Sequence, residues 1–135
     1  MIVLDASAAV DMVRGTEEGL CFRQLALKGE PMTAPHLYVS EVANALLKYV
    51  RAGCCDAGAA VVKSQEAYDL VEEYVSDEEL MPEALLEAAA SGHSAYDMLY
   101  LVLARRRKAT LFTRDKKLQD LCEQRGIECI HQMGL

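Results

Sequence analysis

Short apolar runs that stop near an aspartate and pass straight into a helical pattern set the tightest limit on how this chain folds. MIVL ends at Asp5, ahead of an alanine-rich helical stretch, and TLFT at residues 110–113 is followed by Asp115 and another. Four apolar residues are too few for a helix and show no polar alternation, so each run suits a short strand buried on both faces. Residues 31–34 and 127–130 give two further strand candidates, and 79–81 a fifth.

Between the strands the pattern turns helical. Residues 6–13 form one candidate, ended by Gly15, and 16–28 another, opened by Thr16 and stopped by Gly29. Pro35 suits the first turn of a helix over 36–52, whose apolar positions Val39, Val42, Ala43, Leu46 and Val50 recur at helical spacing. Asp56 can cap a long helix over 57–75, and Pro82 opens one that ends before Gly92. Residues 94–106 make a helix that is apolar on all sides and therefore deeply buried, and 115–125 make the last. Strands alternating with helices argue for an α/β fold with a mostly parallel sheet of four to five strands, covered on both faces.

Length and composition narrow the function. The 135 residues suit a single domain over 1–135, and an apolar content of 52% supports a full core without staples. The net charge of −7 disfavours a protein that holds nucleic acid on a broad basic face. It leaves room for an enzyme that grips phosphate through metal ions and local Lys or Arg. Five cysteines, with no CxxC pair, fit a reducing cytoplasm better than a disulfide framework. Cys129 and His131 lack the second ligand pair that a zinc site needs. MIVLDAS has no basic region of a signal peptide, and no apolar run is long enough to span a membrane.

Four acids stand in positions that one pocket can collect: Asp5, Glu41, Asp97 and Asp115. Gathering carboxylates is unfavourable unless a cation or proton offsets their repulsion, so such a pocket suits Mg²⁺ or Mn²⁺. Each also has an ordinary explanation. Asp5 and Asp115 lie between a strand and a helix, where they can serve as N-caps; in α/β sheets that edge is also where ligands bind. Asp97 completes a capping-box spacing with Ser94, with Asp where Glu or Gln is usual. Glu41 shares a helix face with Leu37, Asn44, Ala45 and Lys48, which allows a salt bridge to Lys48.

The other charges divide similarly. Arg105, Arg106, Arg107 and Lys108 end a helix, where the macrodipole favours cations, although phosphate contact is open to them. Arg114, Lys116 and Lys117 flank Asp115 and are better placed for a polyanion. Glu72, Glu73, Asp77, Glu78 and Glu79 suit a solvated face and turn. His36, His93 and His131 form no triad with Ser or Cys, and the glycines form no phosphate-cradling loop.

Taken together, VLDASAAV, SEVANALLK, SAYDMLYLVLA and LFTRDKKL resemble the PIN domain, in particular the VapC-type toxins of toxin–antitoxin pairs. The order and spacing of these segments agree with that family across nearly the whole chain. The resemblance implies a three-layer α/β/α sandwich and a metal-dependent ribonuclease. It implies catalytic and metal-binding roles for Asp5, Glu41, Asp97 and Asp115, and supporting or phosphate-contacting roles for Ser7, Asn44 and Thr113. It further implies an RNA substrate, an antitoxin that occludes the acidic pocket, often with a basic side chain, and a homodimer. Two features depart from this expectation: the chain is acidic for a nuclease, and residues 54–81 carry no recognisable signature. A catalytically inactive RNA- or protein-binding module on the same fold is the main competitor. A receiver-like phosphoryl-transfer domain is a poor fit, because Asp5 has no paired acid near it and Lys108 precedes its strand rather than ending it.

Overall fold

A computed structural model describes residues 1–26 and 29–130. In chain order the elements are β1 (Ile2–Leu4), α1 (Ala6–Arg14), α2 (Glu17–Ala26), β2 (Met32–Pro35), α3 (Leu37–Arg51) and α4 (Ala57–Asp69), then β3 (Glu73–Val75), α5 (Asp77–Ser91), α6 (Ala95–Arg107), β4 (Thr110–Phe112), α7 (Lys116–Gln124) and β5 (Cys129–Ile130). The strands form one sheet in the order β3-β2-β1-β4-β5. Every pairing is parallel; β1 sits centrally, with Ile2 opposite both Met32 and Thr110.

The alternation of side chains along a strand divides the interior in two. Ile2, Leu4, Ala34 and Phe112 face one core with Ala8, Val10, Phe22, Tyr38, Val42 and Ala67 from α1 to α4. Val3, Val75 and Leu111 face the other, with Leu80, Ala84, Leu118 and Leu121 from α5 and α7. All seven residues from Met98 to Ala104 are buried, because α6 is packed between the sheet and its neighbouring helices. The result is the α/β/α sandwich around a parallel sheet. Gly19 marks the tightest crossing: a Cβ there would stand 1.9 Å from the Asp11 backbone oxygen, so only glycine lets α2 lie this close to α1.

Several expected boundaries move. The helix anticipated over 57–75 stops at Asp69, and residues 73–75 form the edge strand β3 instead. The Glu72 N–H bonds to the Met32 carbonyl and Val75 registers with Pro35, so pairing with β2 outweighs local helical preference. Residues 79–81 are helical, not a strand, because Leu80 and Ala84 bury one stripe of α5. Pro82 lies inside that helix on an exposed position rather than opening it. Pro35 ends β2 and does not begin α3; the ladder resumes at the His36 N–H, which bonds to the Val75 carbonyl. The buried stripe of α3 is Tyr38, Val42 and Leu46: Val42 and Leu46 are buried as expected, Tyr38 joins them, and Val39 and Ala43 are exposed. Tyr38 belongs inside because its hydroxyl donates to the Ala67 carbonyl at 2.6 Å. The anticipated end of α2 at residue 28 and the His131 half of the Cys129–His131 pair lie outside the described residues.

Candidate active site

The order in which strands are added reverses at β1: β2 and β3 lie on one side of it and β4 and β5 on the other, with the connecting helices on opposite faces of the sheet. Such a switch leaves a crevice at the carboxyl ends of the central strands, where α/β proteins bind ligands. Asp5 and Thr113 stand there, side by side at the ends of β1 and β4, and both are buried.

Asp5 occupies the N-cap position of α1 yet makes no capping bond to it. Its Oδ2 instead accepts hydroxyl hydrogen bonds from Ser7 at 3.0 Å and from Thr113 at 2.5 Å. Each hydroxyl is held in turn by a backbone donor: the Arg114 N–H to Ser7 Oγ at 2.9 Å, and the Asp115 N–H to Thr113 Oγ1 at 3.0 Å. The web aims both hydroxyl protons at one carboxylate. Burial nevertheless pushes the Asp5 carboxyl up; the two hydroxyls oppose that shift and the Asp97 charge adds to it.

Asp97 and Asp115 both stand at helix starts, but only Asp115 is itself the cap. Ser94 caps α6 by accepting the Asp97 N–H at 3.2 Å. Burial raises the Asp97 carboxyl, repulsion from Asp115 raises it further, and Ser94 and His93 partly offset this. Asp115 caps α7, its Oδ1 accepting from the N–H groups of Lys117 at 2.9 Å and Leu118 at 3.4 Å. Capping therefore holds for Asp115 and fails for Asp5.

Glu41 lies one turn beyond Tyr38, beside the buried stripe of α3, and is half-buried. Among the described residues it makes no ion pair with Lys48. Its Oε1 accepts from the Tyr100 hydroxyl at 2.6 Å. Burial lifts its pKa to about 7, with Asp5, Asp97 and Asp77 adding repulsion and the Tyr100 bond acting the other way. Asn44, one turn on, is exposed and makes no side-chain hydrogen bond among the described residues.

Charge thus links these acids in a chain, Asp97 acting on Asp5, both of them on Glu41, and Asp115 on Asp97. As placed, however, no three His, Cys, Asp or Glu side chains among the described residues are gathered closely enough to hold a metal ion. The donor set, all carboxylate oxygen and destabilised by like charge, fits a hard divalent cation in chemistry.

Two participants escaped the sequence reading. Tyr100 is three residues after Asp97, on the same face of α6, a spacing that carried the signal. Asp77 accepts the Leu37 N–H at 3.1 Å, closing the start of α3 from a neighbouring element. The three arginines at the end of α6 are engaged with carboxylates rather than left free for phosphate. Arg105 binds Glu83 and Glu87, Arg106 binds Glu83, and Arg107 binds Glu73. The acids expected on a solvated face are thereby partly paired. Arg114 turns to Asp11 at 3.0 Å.

A family model described as PIN domain matches residues 2–124. The chain belongs to the PIN domain family. Among solved structures, PAE2754 from Pyrobaculum aerophilum superposes with a TM-score of 0.71 at 25% identity, covering 87% of this chain and 81% of that one. VapC20 from Mycobacterium tuberculosis, a sarcin–ricin loop cleaving toxin, superposes with a TM-score of 0.70 at 16% identity, covering 99% and 100%. The second likeness is one of fold. A search of curated protein sequences returned no match. No helix among the described residues is long and apolar enough to cross a membrane.

Proposed function

We propose that this chain is a metal-dependent ribonuclease, acting in the cytoplasm as the toxin of a toxin–antitoxin pair. One observation supports the reading: the charges of Asp5 and Asp97 are felt at Glu41, and that of Asp115 at Asp97, and burial together with this repulsion pushes Asp5, Glu41 and Asp97 toward their protonated forms. None of the four forms a salt bridge among the described residues, and the His93 charge only partly offsets the shift at Asp97.

Asp5, Asp97 and Asp115 would hold Mg²⁺ or Mn²⁺, with Glu41 completing the set directly or through water. When bound, such a cation acidifies a water for attack on phosphorus and stabilises charge on the phosphate and the leaving oxygen. Ser7 and Thr113 fix the Asp5 carboxylate, so that it need not reorganise when the substrate arrives. Tyr100 holds Glu41 against α6 and keeps it facing Asp5 and Asp97. Asn44, at the exposed edge of α3, is proposed to meet the RNA backbone rather than the carboxylates. Val61 and Val62 on α4 and Leu85 and Leu86 on α5 are exposed and supply apolar surface suited to an antitoxin or a second copy of the chain.

Purified protein incubated with total RNA, with Mg²⁺, Mn²⁺ or EDTA and beside the Asp5→Asn variant, tests the proposal. Cleavage that needs the cation and disappears in the variant is the expected result. RNA binding without cleavage, indifferent to EDTA, would replace the enzyme with a binding module.

A further inference from the structure

A polar cavity opens between the end of α5, the turn that leads into α6, and α7. Its volume is about 420 Å³, within the range of small-ligand pockets. Ser91, His93, Lys117, Asp120, Gln124 and Arg125 line most of it. We infer that this cavity holds one nucleotide unit of the RNA strand next to the cleaved bond, with its phosphate taken by Lys117 and Arg125. The inference rests on the nuclease reading and extends it to the path of the substrate.

Position argues first. The Lys117 N–H bonds to Asp115 Oδ1 at 2.9 Å, so the cavity wall and the acidic site share a helix start. His93 lies one residue before the Ser94 cap of α6, and its charge is felt at Asp97. A strand bound at the acids would therefore meet this cavity with an adjoining nucleotide.

Charge argues second. RNA carries a phosphate at every nucleotide, and a chain of net charge −7 must neutralise those near the cut locally. The arginines at the end of α6 and Arg114 are already paired with carboxylates. Lys117 forms no ion pair among the described residues. Arg125 reaches Glu87 through Nε alone, at 3.2 Å, which leaves its two Nη groups to bind an anion. Asp120 is the acid on the wall, and Lys116 pairs with it at 3.0 Å. Glu87 is likewise held by Arg105. The balance of charge facing the cavity thus favours a phosphate.

The test uses full-length Asp5→Asn protein in EDTA, so that binding is read without cleavage. A fluorescent single-stranded RNA of about 20 nucleotides is titrated by anisotropy between about 50 and 200 mM salt. Adding Lys117→Gln and Arg125→Gln should raise Kd about tenfold and reduce the log–log salt slope by roughly 0.7 to 1.4. Lys117→Gln alone, which has no ion pair to lose, should give about half of that slope change. A matched charge removal elsewhere, Arg51→Gln with Lys63→Gln, should leave Kd within about twofold. The inference is overturned if the cavity variants bind like their parent, if the matched control weakens binding as much, or if the parent binds no RNA. Cleavage by the wild-type chain in Mg²⁺ is scored separately. A cleaving wild type with unaltered cavity variants loses the cavity and keeps the nuclease; a non-cleaving wild type with cavity-dependent binding does the reverse.

Discussion

Glu87 and Glu41 are both helix glutamates turned toward α6, and their surroundings treat them in opposite ways. Glu87 meets two guanidinium groups, from Arg105 and Arg125, and the Arg105 bond in particular holds its carboxyl below the usual range. Glu41 meets a phenol and three acids, and burial lifts its pKa to about 7. The first arrangement lets an acid tie α5 to α6 and α7. The second keeps an acid where its charge is costly, which a fold tolerates when something outside the chain makes use of that charge.

The contrast is most sharply broken by exchanging one member of each region. Asp5→Asn should lower metal-dependent RNA cleavage on the order of 1,000-fold while leaving thermal stability equal or higher, because it removes a buried like charge. Glu87→Gln should do the reverse, leaving cleavage intact and costing about 1 kcal/mol, a small value because its Arg105 partner is partly solvent-exposed. Paired rate and melting measurements decide; an Asp5→Asn protein that cleaves normally removes the distinction.

A smaller effect tests whether the hydroxyl web serves the acid or only the fold. Thr113→Val keeps the shape of the side chain but removes the proton aimed at Asp5. Cleavage should fall by about 10–100-fold, with the metal concentration for half-maximal rate rising. Loss of stability with unchanged metal dependence would make Thr113 a structural residue.

Much of this layout is legible in the sequence. Asp5 and Asp115 follow apolar runs that have little choice but to be strands, and residues 98–104 are apolar on every face and are all buried. Sequence could not tell Asp115, which caps its helix, from Asp5, which does not, because both obey the same local pattern; the difference lies in Thr113 reaching across from another strand. The edge strand β3 was hidden because Glu73, Tyr74 and Val75 follow a good helix, and only the open edge of β2 gives them a partner. The arginines of α6 showed the same limit. Their positive charge is plain, but their carboxylate partners lie 18 to 34 residues away in the chain.

Tyr100 allows a finer cut at Glu41. Tyr100→Phe removes a hydrogen bond that favours the ionised carboxylate, so the Glu41 pKa should rise further and the acid limb of the rate profile should move to higher pH. About a tenfold loss of rate near neutral pH is expected, shrinking as the pH is raised. A loss that is constant across pH would show that Tyr100 acts only through packing.

The smallest expected effect concerns stability rather than rate. Glu41 has an ordinary pKa of 4.5 and a folded value of about 7, so between those pH values the folded chain keeps a proton that the unfolded chain has released. Stability should therefore be highest below about pH 4.5 so far as this group is concerned, fall as the pH rises toward 7, and level off above it. Asp5 and Asp97, also raised, act in the same direction. Glu41→Gln should melt with the wild type near pH 5 and some 3–5 °C above it near pH 8. Mg²⁺ should raise the wild-type melting temperature at pH 8 while raising that of the variant less, because the cation relieves the repulsion that the substitution has already reduced. Glu87→Gln, whose carboxyl is lowered in the fold, should show the opposite trend, losing most relative to wild type at the higher pH and least in acid. Parallel pH slopes in the two variants would mean that the two glutamates differ in position but not in the electrostatic task assigned to them.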